Sequence, residues 1–93
     1  MTLDIQHVPD KKRFEARTEA GVAVAEYMQV GNTFIFTHTE VPESLEGQGI
    51  GSRLVKYALE YVREHNLSAS PLCPFVKSYI SRHPKYQALV RMG

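Results

Sequence analysis

A single cysteine in a chain of 93 residues excludes a fold stapled by disulfides, and no cluster of cysteine and histidine marks a metal centre. No run approaches the roughly eighteen apolar residues of a spanning helix. The opening MTLDIQHVPDKK carries acids and no apolar core, so it does not read as a secretory signal. Neither sign of charge dominates: eleven Lys and Arg against ten Asp and Glu leave +1. A basic excess or stripe, the usual mark of nucleic-acid or membrane-surface binding, is missing. Repeats, linkers and low-complexity segments are missing too. These absences predict a cytoplasmic protein without metal, nucleic-acid partner or membrane partner, a monomer or weak dimer. What is present is ordinary: 43% apolar and 23% charged residues, in a length that suits one domain, 1–93, with one modest core.

Period and turn residues divide the chain in two. Leu3, Ile5 and His7 alternate with polar residues, and Pro9-Asp10 reads as a turn. Phe14, Ala16 and Thr18 alternate against Arg13, Glu15 and Arg17, which predicts a half-buried strand with the charged set outward. VAVAEYMQV, 22–30, and TFIFTHTEV, 33–41, are β-rich runs joined by Gly31-Asn32, the pattern of a hairpin. An antiparallel meander of about four strands follows. After Pro42 the period lengthens: Ile50, Leu54, Ala58 and Tyr61/Val62 recur every three to four residues, predicting an amphipathic helix over 49–66. Asn66 suits a left-handed exit from it. LSASPLCP, 67–74, reads as a short fifth strand and FVKSYISRH, 75–83, as a second helix that stops before Pro84. The tail from residue 84 onward shows no clear period.

Three of the six glycines fall at Gly47, Gly49 and Gly51, between the fourth strand and the long helix. Such a junction turns unpaired backbone N–H groups and the positive end of the helix dipole outward. It binds phosphate without a basic side chain, and bare backbone lets a pyrophosphate come close. A plain glycine-containing turn accounts for the same residues. The dinucleotide fingerprint needs G-x-G-x-x-G within a βαβ unit, whereas here the spacing is G-x-G-x-G after antiparallel strands. The nucleoside-triphosphate loop needs a lysine after its last glycine, and Ser52 stands there instead.

Glu46-Gly47-Gln48-Gly49-Ile50-Gly51 resembles motif A of the Gcn5-related N-acetyltransferases, Arg/Gln-x-x-Gly-x-Gly/Ala. It matches at Gly49 and Gly51 and departs at Glu46, where a basic or amide residue is usual. THTEVP before the loop, LCPFV after the helix and YISRHPKY near the end together resemble a minimal branch of that superfamily, over residues 33–86. The resemblance implies an α+β fold: a mixed, mostly antiparallel sheet of four to five strands with two helices, lacking the superfamily's N-terminal helices. It implies acetyl-coenzyme A as co-substrate, its pyrophosphate held by the glycine loop, Gly47 included, with Gln48, Gly49, Ile50, Gly51 and Ser52 as backbone donors. Thr39, Glu40 and Val41 at the end of the fourth strand would pair with the pantetheine arm. Arg53, with Lys56, would meet the 3′-phosphate; a solvated helix face is the alternative.

The same resemblance brings Cys73 and His38 near the thioester as candidate catalytic residues. Cys73 suits a covalent route as nucleophile, since a nearby histidine or helix N-terminus favours thiolate; it equally suits a small buried hydrophobe. His38, alternating with Phe34 and Phe36, reads either as a general base or as a core histidine. Tyr79 on the second helix stands where larger relatives carry a tyrosine that protonates the leaving thiolate, and helix packing is its other reading. The function implied is acetyl transfer to an amine of a protein, polyamine or small molecule. A non-catalytic acyl-coenzyme A-binding module and a Cys/His thioesterase are the rivals.

Overall fold

The computed structural model describes residues 3–91; the last two residues of the unassigned tail lie outside this range. Five strands form one sheet in chain order: β1 (Asp4–Val8), β2 (Arg13–Thr18), β3 (Gly21–Val30), β4 (Thr33–Glu40) and β5 (Ser68–Pro71). The first four pair antiparallel and β5 runs parallel to β4. That reversal requires a crossover, which the helix α1 (Ile50–Glu64) supplies. A second helix, α2 (Pro74–Arg82), follows β5, and a 3-10 segment, Pro84–Leu89, closes the described chain. The expected meander, crossover helix and second helix are therefore present, each within a few residues of its predicted bounds.

Local chemistry accounts for the joints. Gly31 opens the β3–β4 turn at φ 59°, where a side chain would be strained. α1 ends as predicted: Asn66 takes φ 56°, and the Leu67 N–H donates to the Val62 carbonyl at 2.9 Å. One face of the sheet carries Phe14, Ala16, Ala23, Ala25, Tyr27, Phe34 and Phe36 into a single core with Leu54, Val55, Ala58, Leu59 and Val62 of α1. α2 adds Val76, Tyr79 and Ile80 to it, and the 3-10 segment adds Tyr86. The opposite face bears the other strand positions. Among the described residues no helix packs there, and Val22, Met28 and Val30 stay exposed on it. No described helix is long and apolar enough to cross a membrane.

Two side chains depart from the simple in/out alternation. Glu15, expected outward with Arg13 and Arg17, is 2% exposed. Arg13 and Arg17 fold over it from either side: Arg13 Nε donates to Oε2 at 2.7 Å and Arg17 Nη2 to Oε1 at 2.6 Å. A buried carboxylate is tolerated only when its lone pairs are met this way. The hydrogen bond from Arg17, then that from Arg13, holds the Glu15 carboxyl below the usual carboxylate range against the opposing effect of burial. Tyr86 is the other departure. Its ring is wholly buried and its hydroxyl donates to Glu60 Oε2 at 2.6 Å, tying the tail to α1.

Candidate functional site

β4 and β5 pair only from Thr33/Ser68 to Phe36/Pro71. One further bond, from the Cys73 N–H to the Phe36 carbonyl at 2.9 Å, marks the point where they part. β4 continues to Glu40 with β3 as its partner, so its other edge lies open past Phe36. A cleft of about 510 Å³ occupies this opening. Thr39, Glu40 and Val41 form its strand wall, and Gly47, Gly49, Ile50, Gly51 and Ser52 form its loop and helix wall. Leu45, Glu46 and Phe75 complete the lining.

The helix wall presents unpaired backbone donors. The first helical bond of α1 runs from the Arg53 N–H to the Gly49 carbonyl at 3.1 Å. The N–H groups of Ile50, Gly51 and Ser52 therefore lie outside the helical ladder. They stand at the positive end of a helix of 15 residues, next to the cleft. The glycines serve it in two ways. Gly47 and Gly49 sit at φ 79° and 73° with open space where a Cβ would be, so backbone conformation requires them. Gly51 is helical, and a Cβ there would lie 2.8 Å from Phe75 Cζ and 3.1 Å from Val41 Cγ2. Bare backbone at 51 thus seats α2 and the end of β4 against α1, a packing reason not visible in the motif.

Eight of the ten residues assigned to the cofactor line this cleft, and two do not. Gln48 turns its side chain back to the Ser44 carbonyl at 3.4 Å. Arg53 has spent its backbone N–H on the helix, and its side chain lines a separate shallow depression with Ile5, Lys56 and Tyr57. Leu45 and Phe75 were not anticipated. Phe75 reads in the sequence only as one apolar position of a helix.

Cys73 and His38 are not brought together. Cys73 is the N-cap residue of α2 and 4% exposed, with its Sγ 3.4 Å from Thr39 Oγ1. His38 points to the opposite face of the sheet, its side chain 56% exposed and its Nε2 3.6 Å from Glu40 Oε2. A bulge explains the correction. Tyr27 pairs with Phe36 but Glu26 pairs with His38, so Thr37 is an extra residue in β4. Beyond it the alternation inverts: Thr39, opposite the buried Ala25, takes the inward place that regular pleating would give His38. Tyr79 also lies apart from the cleft, in the core, stacked 4.0 Å from the His83 ring and tilted against that of Tyr86 at 6.0 Å. Burial pushes its hydroxyl pKa up.

A sheet whose fourth and fifth strands part over a glycine-led helix N-terminus defines a small α+β domain with backbone donors turned into a cleft. The family model of the GCN5-related N-acetyl-transferases matches residues 13–89, and the chain belongs to that family. It is similar to Protein NATD1 of mouse, 33% identical over 97% of this chain and 84% of that protein. The human and zebrafish Protein NATD1 are 33% and 32% identical, each over 97% of this chain and 82% and 84% of theirs. Among solved structures, a GCN5-like protein from Staphylococcus aureus matches with a TM-score of 0.74 and 30% identity, covering 96% of this chain and 88% of that one.

Proposed function

We propose that this protein is an N-acetyltransferase that takes acetyl-coenzyme A in the cleft and acetylates a primary amine. The observation that carries the reading is the coincidence, in one cleft, of the open edge of β4 at Thr39–Val41 with the free N–H groups of Ile50, Gly51 and Ser52. An amide-bearing arm suits the first by strand addition, and a pyrophosphate suits the second. The family membership supports the same reading.

The chain's own part in the chemistry is modest and specific. An ammonium of pKa about 10 must lose a proton before it attacks. Glu40, which lines the cleft, serves as the proton acceptor, backed by His38 3.6 Å away on the outer face. The neutral nitrogen then attacks the thioester carbonyl carbon; the C–N bond forms, the C–S bond breaks, and the sulfur leaves as thiolate to be protonated. Direct attack is preferred over an acetyl-cysteine, because Cys73 is buried behind Thr39 and does not line the cleft. The thioesterase reading rests on a Cys73–His38 pair, and the two side chains lie on opposite faces. A binding module without turnover remains the rival.

Titration with coenzyme A, followed by backbone amide shifts, tests the cleft: shifts should concentrate at 39–41 and 49–52. Product analysis with acetyl-coenzyme A and an amine panel tests turnover. N-acetylated amine supports transfer; binding without product supports the module. Cys73→Ala should transfer at the parental rate, and loss of transfer with coenzyme A affinity retained would restore the covalent route.

A further inference from the structure

The uncovered face of the sheet carries a second concavity, about 460 Å³, that shares Glu40 with the cleft. The two hollows therefore lie on either side of one wall, the end of β4. A transfer between two substrates needs such a junction, since the amine must reach the thioester from outside the cleft that holds it.

The strand register fixes the second hollow's layout. β2 lines it with Arg13, Glu15 and Arg17, β3 with Val22, Val24 and Glu26, and β4 with Glu40; His38 shares that face outside the lining. Glu15 pairs across with Val24, and Val24 with Glu40, so one row runs from the arginine bank to the carboxylate bank over a valine floor. Two strand spacings, about 10 Å, separate Glu15 from Glu40 along that row. Glu26 pairs directly with Arg13, so the charges are sorted along the Glu15–Val24–Glu40 row, and Glu40 is its acidic end. Glu15 has both oxygens engaged by guanidinium groups, leaving its bank with one net positive charge, and Lys11 stands beside it. Each guanidinium spends its Nε and Nη2 on Glu15. The Nη1 donors have no acceptor among the described residues, and Glu15 holds both forks in place. At the far end Glu40 bears a carboxylate with no guanidinium on it among the described residues, its ring neighbour being His38 at 3.6 Å, while Glu26 lies across from Arg13.

We propose that this groove binds the acceptor, and that the acceptor is a bipolar molecule: a primary amine joined by a short aliphatic chain to a carboxylate. The ammonium lies at Glu40, next to the shared wall. The chain crosses Val22 and Val24, and the carboxylate meets the free donors of Arg13 and Arg17. A polyamine fits poorly, because its far ammonium would meet the arginine bank. A plain alkylamine leaves those donors without a partner. This inference rests on the acetyl-transfer reading, and it names the acceptor class for that reaction.

The test compares three amines of similar length with acetyl-coenzyme A: 6-aminohexanoate, hexylamine and 1,6-diaminohexane. We expect kcat/KM for 6-aminohexanoate to exceed the other two by about tenfold or more, the scale of one charge-assisted hydrogen bond. Two variants read the groove without disturbing the cleft. Glu15→Gln/Arg17→Gln removes a guanidinium without orphaning a buried carboxylate and should abolish the preference. Val22→Glu, at a position 42% exposed on the groove floor, should turn it toward the diamine. Coenzyme A affinity should be unchanged in both. Equal use of the three amines, a parental preference for the diamine, or a preference indifferent to both variants would overturn the proposal. If acetyl-coenzyme A binds and no amine is acetylated, the transfer reading fails and the groove is judged by amide shifts. Saturable shifts at 13–17 and 22–26 with 6-aminohexanoate but not hexylamine would uphold it as a binding site, and their absence would refute it.

Discussion

Adding one methyl group at Gly51 should cost stability although it improves the helix. Alanine in place of glycine inside a helix normally gains about 0.5–1 kcal/mol. At 51 the new Cβ would stand 2.8 Å from Phe75 Cζ, 3.4 Å from Phe75 Cε1 and 3.1 Å from Val41 Cγ2. Phe75 is 38% exposed and its ring edge can swing outward. Val41, packed against the core at the strand end, has less room to give. Overpacking of this kind costs about 1–3 kcal/mol, so the net loss in Gly51→Ala is about 1 kcal/mol, or roughly 4–8 °C in Tm for a domain of this size. Because Phe75 lines the cleft, its displacement should also weaken coenzyme A binding in the same variant. The decisive measurement is a double-mutant cycle in urea. In a Phe75→Ala background only the 3.1 Å contact with Val41 remains, and Gly51→Ala should cost less than it does in the parent. If Gly51→Ala is at least as stable as the parent in both backgrounds, and coenzyme A binds undiminished, then Gly51 has no packing duty.

The neighbouring glycine obeys a different rule and should respond differently. Gly49→Ala, at φ 73° with no neighbour to clash, should cost about 1–2 kcal/mol, while Gly49→Asn should cost visibly less; equal losses in thermal melts would argue that backbone handedness is not the constraint. Glu15 links the arginine bank to acid stability. Its carboxyl is held below its ordinary value, so its contribution is complete above pH 4.5 and is lost as pH falls through the lowered folded value. Urea midpoints for Glu15→Gln should therefore show a shallower acid limb than the parent, and an unchanged slope would remove Glu15 from the account. Tyr86→Phe deletes the hydroxyl that donates to Glu60 at 2.6 Å and should cost about 1.5 kcal/mol. That bond is also the first cause of the lowered Glu60 pKa, so carboxyl NMR should find Glu60 titrating higher in the variant; a Glu60 titration that does not move would mean Arg63 and Lys85 suffice.

Much of this layout was legible because it is periodic. The change from alternation in 13–41 to a three-to-four spacing in 50–62 marks where sheet gives way to helix, and Gly31-Asn32 and Asn66 mark joints by backbone chemistry. The glycine loop was legible as a place where side chains are unwelcome, though its three glycines answer two different constraints. What was not legible depends on partners far along the chain. Phe75 meets Gly51 only because α2 folds back on α1. Glu15 looks solvated until Arg13 and Arg17 close over it, and Tyr86 sits in a stretch without period, held by Glu60 of α1. The most consequential gap is one extra residue in β4. Nothing in Phe34-Ile35-Phe36-Thr37-His38 distinguishes a bulge at Thr37 from regular pleating, and regular pleating puts His38 in the core.

That single residue also explains how one strand end serves two hollows. A β-strand points its side chains alternately to opposite faces, so an insertion exchanges every assignment downstream. Without the bulge, His38 and Glu40 would face the core side and Thr39 the outer side. With it, Thr39 turns inward to Cys73, and Glu40 turns toward the groove on the open face with His38 beside it. The backbone of the same residues is unaffected by that exchange, and its free edge stays in the cleft. A strand end can thus offer hydrogen-bonding backbone to a ligand on one side and proton-accepting side chains to a reactant on the other, which is the division of labour that direct attack requires.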